Sequence, residues 1–110
     1  MRKMMSFAVF ALLATSLSAQ TVANMKDLNA EKKSAAINLK LTGTLTTTRN
    51  SDFRQLRDLC WQLRTLDLSE ATCPVLPKNA FHSRHHLQSI ILPNQLQEIG
   101  SQAFFACDNL

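Results

Sequence analysis

Three histidines crowd the segment "HSRHH": His82, His85 and His86. Imidazoles are good zinc ligands, and a zinc site draws three or four donors together. No carboxylate or thiolate stands near them at a ligand spacing, and the segment falls at a turn between repeats. A solvated turn is therefore the expectation, with no metal. Cys60, Cys73 and Cys107 offer thiols. A reactive thiol needs an activating partner, and there is neither a Cys-x-x-Cys pair nor an indicated histidine partner. A disulfide scaffold usually shows more cysteines, in an even number. A Cys60–Cys73 bridge is the alternative, and it needs a Cα separation that sequence does not supply. Free cysteines packed as small hydrophobes are expected. Asp67 and Glu70 form a lone acidic pair near one strand and read as solvated surface. There is no G-x-S-x-G and no glycine-rich phosphate loop, since the chain holds only two glycines. No catalytic residue, cofactor or metal is assigned, because no converging polar site can be assembled.

The elements that position these residues begin with a processing signal. Arg2 and Lys3 precede an apolar run, Phe7 to Leu13, and the small residues Ser18-Ala19 follow. That order reads as a secretory signal peptide over residues 1–19, cleaved near Ala19-Gln20. The run is shorter than the roughly 20 residues that span a bilayer, and no integral membrane segment is expected after cleavage. Removing Arg2 and Lys3 lowers the net charge from +4 to +2. The remaining Lys and Arg are dispersed, so no nucleic-acid partner is indicated.

Repeats organise the rest. "LRTLDLSEATCPVLPKNAFHSRHH" starts at Leu63 and "LQSIILPNQLQEIGSQAFFACDN" at Leu87, the second unit one residue shorter than the first. Leu63, Leu66 and Leu68 align with Leu87, Ile90 and Leu92. After the extra residue of the first unit, Cys73, Leu76 and Ala80-Phe81 align with Leu96, Ile99 and Ala103-Phe104. Leu110 opens a third unit. Each unit starts L-x-x-L-x-L or its equivalent, the opening of a leucine-rich repeat. The last two apolar positions sit two apart, as on a strand whose alternate side chains face one core. The chain then turns and returns along the outer side, and neighbouring coils bury each other's apolar faces. Pro77 and Pro93-Asn94 mark turns. Gly100 is expected to supply a backbone angle that other residues resist. The usual repeat asparagine is missing, with Ala71 and Gln95 at or beside its place.

Upstream, "INLKLTGTL" alternates Ile37, Leu39 and Leu41 before a turn at Gly43, and then Leu45. Leu39 and Leu41 are equivalent to Leu66 and Leu68. "NSDFRQLRDLCWQL" then places Phe53, Leu56, Leu59, Cys60 and Leu63 on one helical face, with Asn50 or Ser51 as cap and Asp52 in the first turn. "LNAEKKSAA" suits a short helix capped by Asn29, covering the edge of the first coil. Residues 20–27 carry no strong signal. The expected organisation is a signal peptide at 1–19, an N-terminal segment with a short capping helix at 20–36, an opening strand-helix module at 37–62, and leucine-rich repeats at 63–110. The fold class is α/β: a solenoid of stacked short parallel strands with a helical N-terminal module. Residues between the inward ones face the open concave side. They are Lys40 and Thr42; Thr65, Asp67 and Ser69; and Ser89 and Ile91. They form the candidate partner-binding face.

"LTGTL…SDFRQLRDL…LRTLDLSEA", followed by "LPKNAF" and "LQSIILPNQLQEIGSQAFFACDNL", resembles the BspA-type leucine-rich repeat proteins of Bacteroidetes and related bacteria. The resemblance covers about residues 28–110, and its most specific part is the "LPN…I…AF..C..L" unit. It implies a secreted or cell-surface protein for adhesion or recognition, without a catalytic site. Such proteins usually carry many repeats, whereas two complete units follow the opening module here. The expected function is non-enzymatic extracellular recognition or adhesion, with a host or neighbouring-cell protein or glycan as partner. The alternative is an N-terminal scaffold of a larger surface protein. With only two units, a short or truncated chain is expected, frayed from about Gln95 and prone to self-association through its C-terminal end.

Overall fold

The computed structural model describes residues 20–47 and 51–110. The signal segment 1–19, and with it the cleavage point, falls outside the described residues, as does the candidate cap Asn50.

Alternating leucines build the main sheet. Leu39 and Leu41 of β2 (Asn38–Thr44) and Leu66 and Leu68 of β3 (Thr65–Thr72) have at most 1% of their surface exposed. In a strand alternate side chains share a face, so each strand turns one row inward. Two further strands flank them: β1 (Thr21–Asn24) pairs with β2, and β5 (Ser89–Ile91) pairs with β3. All neighbours are parallel, in the order β1-β2-β3-β5. The register matches Leu39 to Leu66 and Leu66 to Ile90, so the inward rows stack. Behind them a second parallel pair, β4 (Val75–Leu76) and β6 (Glu98–Ile99), aligns Leu76 with Ile99.

Two helices follow β1 and β2 in the chain. α1 (Ala30–Ala35) starts at Asn29, whose side chain accepts from the Lys32 amide at 2.8 Å. α2 (Asp52–Asp58) starts at Ser51, which is buried and accepts from the Arg54 amide at 3.3 Å. These caps satisfy amides that lack partners in the first helical turn. Asp52 also closes the preceding loop, accepting from the Thr46 amide while its own amide donates to the Thr46 hydroxyl.

α2 is shorter than its apolar periodicity predicts. It ends at Asp58 because the chain must turn to begin β3 at Thr65. Cys60 and Leu63 therefore lie beyond the helix, yet both turn inward and are buried. Leu59, expected on the apolar face, is 43% exposed. Residues 21–27, which carry no clear sequence signal, form β1 and a short 3-10 turn (Met25–Asp27) with Met25 in the core.

An aromatic column links α2 to the two repeat coils. Phe53 meets Phe81 edge-on at 5.9 Å, and Phe81 stacks on Phe104 at 5.8 Å. Both geometries are favoured by the ring quadrupoles. The outer turns repeat as well. Asn79 and Gln102 share positive φ, as do Ser83 and Ala106, the members of each pair one repeat apart. Backbone bonds run coil to coil beside them, from Phe81 N to Ala103 O at 2.8 Å and from Ser83 N to Phe105 O at 2.7 Å. Cys107 adds a thiol donated to Phe81 O at 3.0 Å.

The role expected of Gly100 is corrected. Of the two glycines, Gly43 holds the positive φ, +85°. Gly100 is needed for space: a Cβ there would stand 2.5 Å from Lys78 N and 2.6 Å from Pro77 C. The outer limbs of two coils touch at that point, and Gly100 N donates to Leu76 O at 2.7 Å. All three cysteines are free, so the Cys60–Cys73 alternative does not occur.

Candidate binding face

The outward rows of β2, β3 and β5 inherit the register of the leucines beneath them. Asn38, Thr65 and Ser89 form one row, and Lys40, Asp67 and Ile91 the next. Strands in a sheet lie about 4.8 Å apart, so each row presents its side chains at that interval. Thr65 and Asn38 are joined by a 2.7 Å side-chain hydrogen bond. Ile91 is 52% exposed beside Asp67. Thr42 sits further along β2 and is half-buried.

The third row departs from the sequence alignment. Lys40 pairs with Asp67, but Thr42 pairs with Glu70 rather than Ser69. Three residues of β3 thus oppose two of β2, a β-bulge with one extra residue on β3. Asp67 stabilises it by accepting from the Ser69 amide at 2.8 Å. Hydrogen bonds from Ser69, first from its hydroxyl and then from its amide, hold the Asp67 carboxyl below its ordinary pKa, and Lys40 adds to this.

The bulge also changes the reading of the acidic pair. Glu70 is carried across to Lys40, and their charges meet at 2.7 Å. That hydrogen bond raises the Lys40 pKa. Asp67 and Glu70 are thus committed to contacts within the face rather than to solvent alone. Sequence reasoning missed two members of the face, Asn38 and Glu70. The alternation that turns Leu39 and Leu41 inward puts Asn38 outward. The bulge had a signal too, since Leu68 and Ala71 are both buried but stand three apart, which breaks the period of two.

The histidines go separate ways. His82 stacks on Phe105 at 5.0 Å, and its Nδ1 meets the Ser83 hydroxyl at 2.8 Å. His85 Nδ1 lies 2.9 Å from an Asp108 carboxylate oxygen. His86 is exposed. Among the described residues no group of three or more His, Cys, Asp or Glu side chains is placed to hold a metal ion. Nor is any helix there long and apolar enough to cross a membrane. Burial pushes the Cys60 thiol up to about 11 and raises Cys73 as well, the reverse of what a nucleophile needs.

Stacked coils, a parallel sheet of short leucine-bearing strands and few helices define an α/β fold of the leucine-rich repeat type. The family model described as "BspA type Leucine rich repeat region (6 copies)" matches residues 30–110, and the chain belongs to that family. Repeat regions of this kind are typically non-enzymatic protein-interaction modules. No curated protein and no solved structure matches the chain.

Proposed function

We propose that this chain is a non-enzymatic extracellular recognition module that engages a protein or glycan on a host or neighbouring cell through the outward face of β2, β3 and β5. The observation carrying this reading is the registered rows themselves. Three parallel strands from three coils hold Lys40, Asp67 and Ile91 side by side on a rigid support. Repeat folds use such faces for partners. Charges of both signs beside an exposed isoleucine suit a mixed polar and apolar contact better than a uniformly charged one.

The reading includes export through residues 1–19, with the mature chain at the cell surface or outside the cell. Mass spectrometry of exported protein tests this; a mature chain still starting at Met1 contradicts it. It includes self-association through the last coil, where Ile99, Phe105 and Leu110 are each about half exposed. Sedimentation over a concentration series tests that, and a monomer at all concentrations removes it.

The direct experiment screens the purified chain against arrays of extracellular-matrix proteins and of cell-surface glycans. A Lys40→Glu, Asp67→Lys, Ile91→Asp triple variant is run beside it. Binding by the wild type that the folded triple variant loses supports the face. Hits that the triple variant retains place recognition elsewhere.

A further inference from the structure

A second surface lies off the strand face, at the edge where the chain runs into β2, β3 and β5. Ile37 precedes β2, Arg64 precedes β3, and His85 and His86 stand shortly before β5. Between them stands Trp61, the only tryptophan of the chain, 52% exposed. A large indole left in water is unusual for a side chain whose burial contributes so much, and tryptophan is enriched where partners bind. Two shallow hollows flank it. One, of about 100 Å³, is lined by Ile37, Trp61, Gln62, Arg64 and His86. The other, of about 230 Å³, is lined by Trp61, Ser83, Arg84, His85 and His86. Trp61 and His86 wall both, so they form a ridge between the two.

The linings of both hollows carry positive charge. Neither hollow has an aspartate or glutamate in its lining, and each has an arginine. Arg64 is exposed and makes no ion pair among the described residues. Arg84 lines the second hollow with its Nε sealed from water and without a hydrogen-bond partner. Two acids stand close: Asp108 pairs with His85 of the second hollow at 2.9 Å, and Asp58, bonded to Arg57 at 2.8 Å, also feels the charge of Arg84, which leaves Arg64 as the guanidinium without a carboxylate.

A ligand matching both features must bring a flat apolar face for the indole and planar or tetrahedral anions for the guanidiniums. A sugar ring has a C–H face that stacks on an aromatic ring, and a uronate carboxylate or a sulfate suits an arginine fork. Both hollows are too small to enclose a drug-sized molecule, which fits successive rings of a chain lying across a ridge. An acidic peptide supplies the anions without the ring face. We propose that Trp61, flanked by Arg64 and Arg84, is a second binding site, for an acidic oligosaccharide bearing uronate or sulfate groups, laid along the strand-start edge of three consecutive coils.

Because Trp61 is the sole tryptophan, its emission reports on this site alone. The whole chain is titrated with tetragalacturonate, a heparin tetrasaccharide, neutral cellotetraose and decaglutamate. The first carries uronate only and the second adds sulfate, so the two separate the sources of the anion. A saturable emission change with at least one acidic sugar, weakened by added salt, supports the site. By calorimetry, Trp61→Ala and Arg64→Ala should each weaken that binding about tenfold or more. A Lys40→Ala, Asp67→Ala pair on the strand face should leave it unchanged, which keeps this proposal separate from the one above. Both Trp61 and Arg64 are exposed, so their variants keep the fold, as circular dichroism would verify. The proposal is overturned by no saturable response to either acidic sugar, by an equal response to cellotetraose or decaglutamate, or by wild-type affinity in Trp61→Ala.

Discussion

The coils around β2 and β3 and the coil around β5 and β6 are written in the same apolar alphabet and packed to different depths. Leu39, Leu41, Leu66, Leu68, Leu76 and Phe81 are essentially sealed from water. Their counterparts Ile90, Leu92 and Phe104 are half-buried, and Ile99 is 48% exposed although it sits in register with Leu76. The difference does not lie in residue type. Among the described residues, β2 and β3 each have a paired strand on both sides, and β5 pairs on one side. In a stacked fold a residue's burial is completed by the neighbouring coil, so stability is set by interfaces between coils as well as by each coil. Leu68 and Leu92, aligned in sequence, both pack inward, but only Leu68 is sealed.

The largest test of this contrast is a pair of truncations. Leu68→Ala removes a sealed side chain and should cost roughly 2–5 kcal/mol, whereas Leu92→Ala should cost about half as much or less. Urea unfolding of both variants measures the gap. Equal losses would show that the last coil is packed as tightly as the inner ones.

The glycines sharpen the comparison one step down. Gly100→Ala drives a methyl group into the backbone of Leu76, Pro77 and Lys78, which cannot swing aside, so the outer limbs must part. Gly43→Ala meets the Asn24 side chain, which can move, and adds the strain of a left-handed alanine. Both should destabilise by about 1–3 kcal/mol, with Gly100→Ala the worse. The reverse order in thermal unfolding would mean that backbone angle, not coil contact, governs these sites.

Thiols give a smaller, pH-dependent effect. Burial raises Cys60 from 9.0 to about 11 in the folded state. Unfolded chain then loses this proton first, so its contribution to stability is whole below pH 9 and is lost as pH rises from 9 through 11. Cys60→Ala should flatten that decline relative to wild type. At pH 8, Cys107 in the last coil should react with a thiol reagent before Cys60 and Cys73, whose thiols are fully buried. Parallel pH profiles, or Cys60 reacting first, would contradict the burial contrast.

The smallest effect belongs to the strand face. Lys40 and Glu70 are joined across the bulge but remain in contact with water, so Glu70→Gln should shift the unfolding midpoint only slightly, and less in high salt. A large, salt-insensitive loss would show that the pair holds the bulge itself.

The sequence by itself determined the repeat length, the inward leucines, the parallel register of Leu39, Leu66 and Ile90, the caps Asn29 and Ser51, and the buried Cys60 and Cys73. These follow from local periodicity and from hydrogen-bond chemistry within a few residues. It also named most of the strand face, because alternation dictates which side chains point outward. Tertiary structure decided the rest. The end of α2 was set by the need to reach β3, which overrode a helical pattern running on to Leu63. β1 became a strand because β2 offered it an edge, although its own residues signal nothing. The bulge brought Glu70 to Lys40, a partner on a different coil. Gly100 was required by a neighbouring limb, not by its own dihedral angles. Depth of burial was fixed by which coils lie on either side, a property that no window of sequence contains.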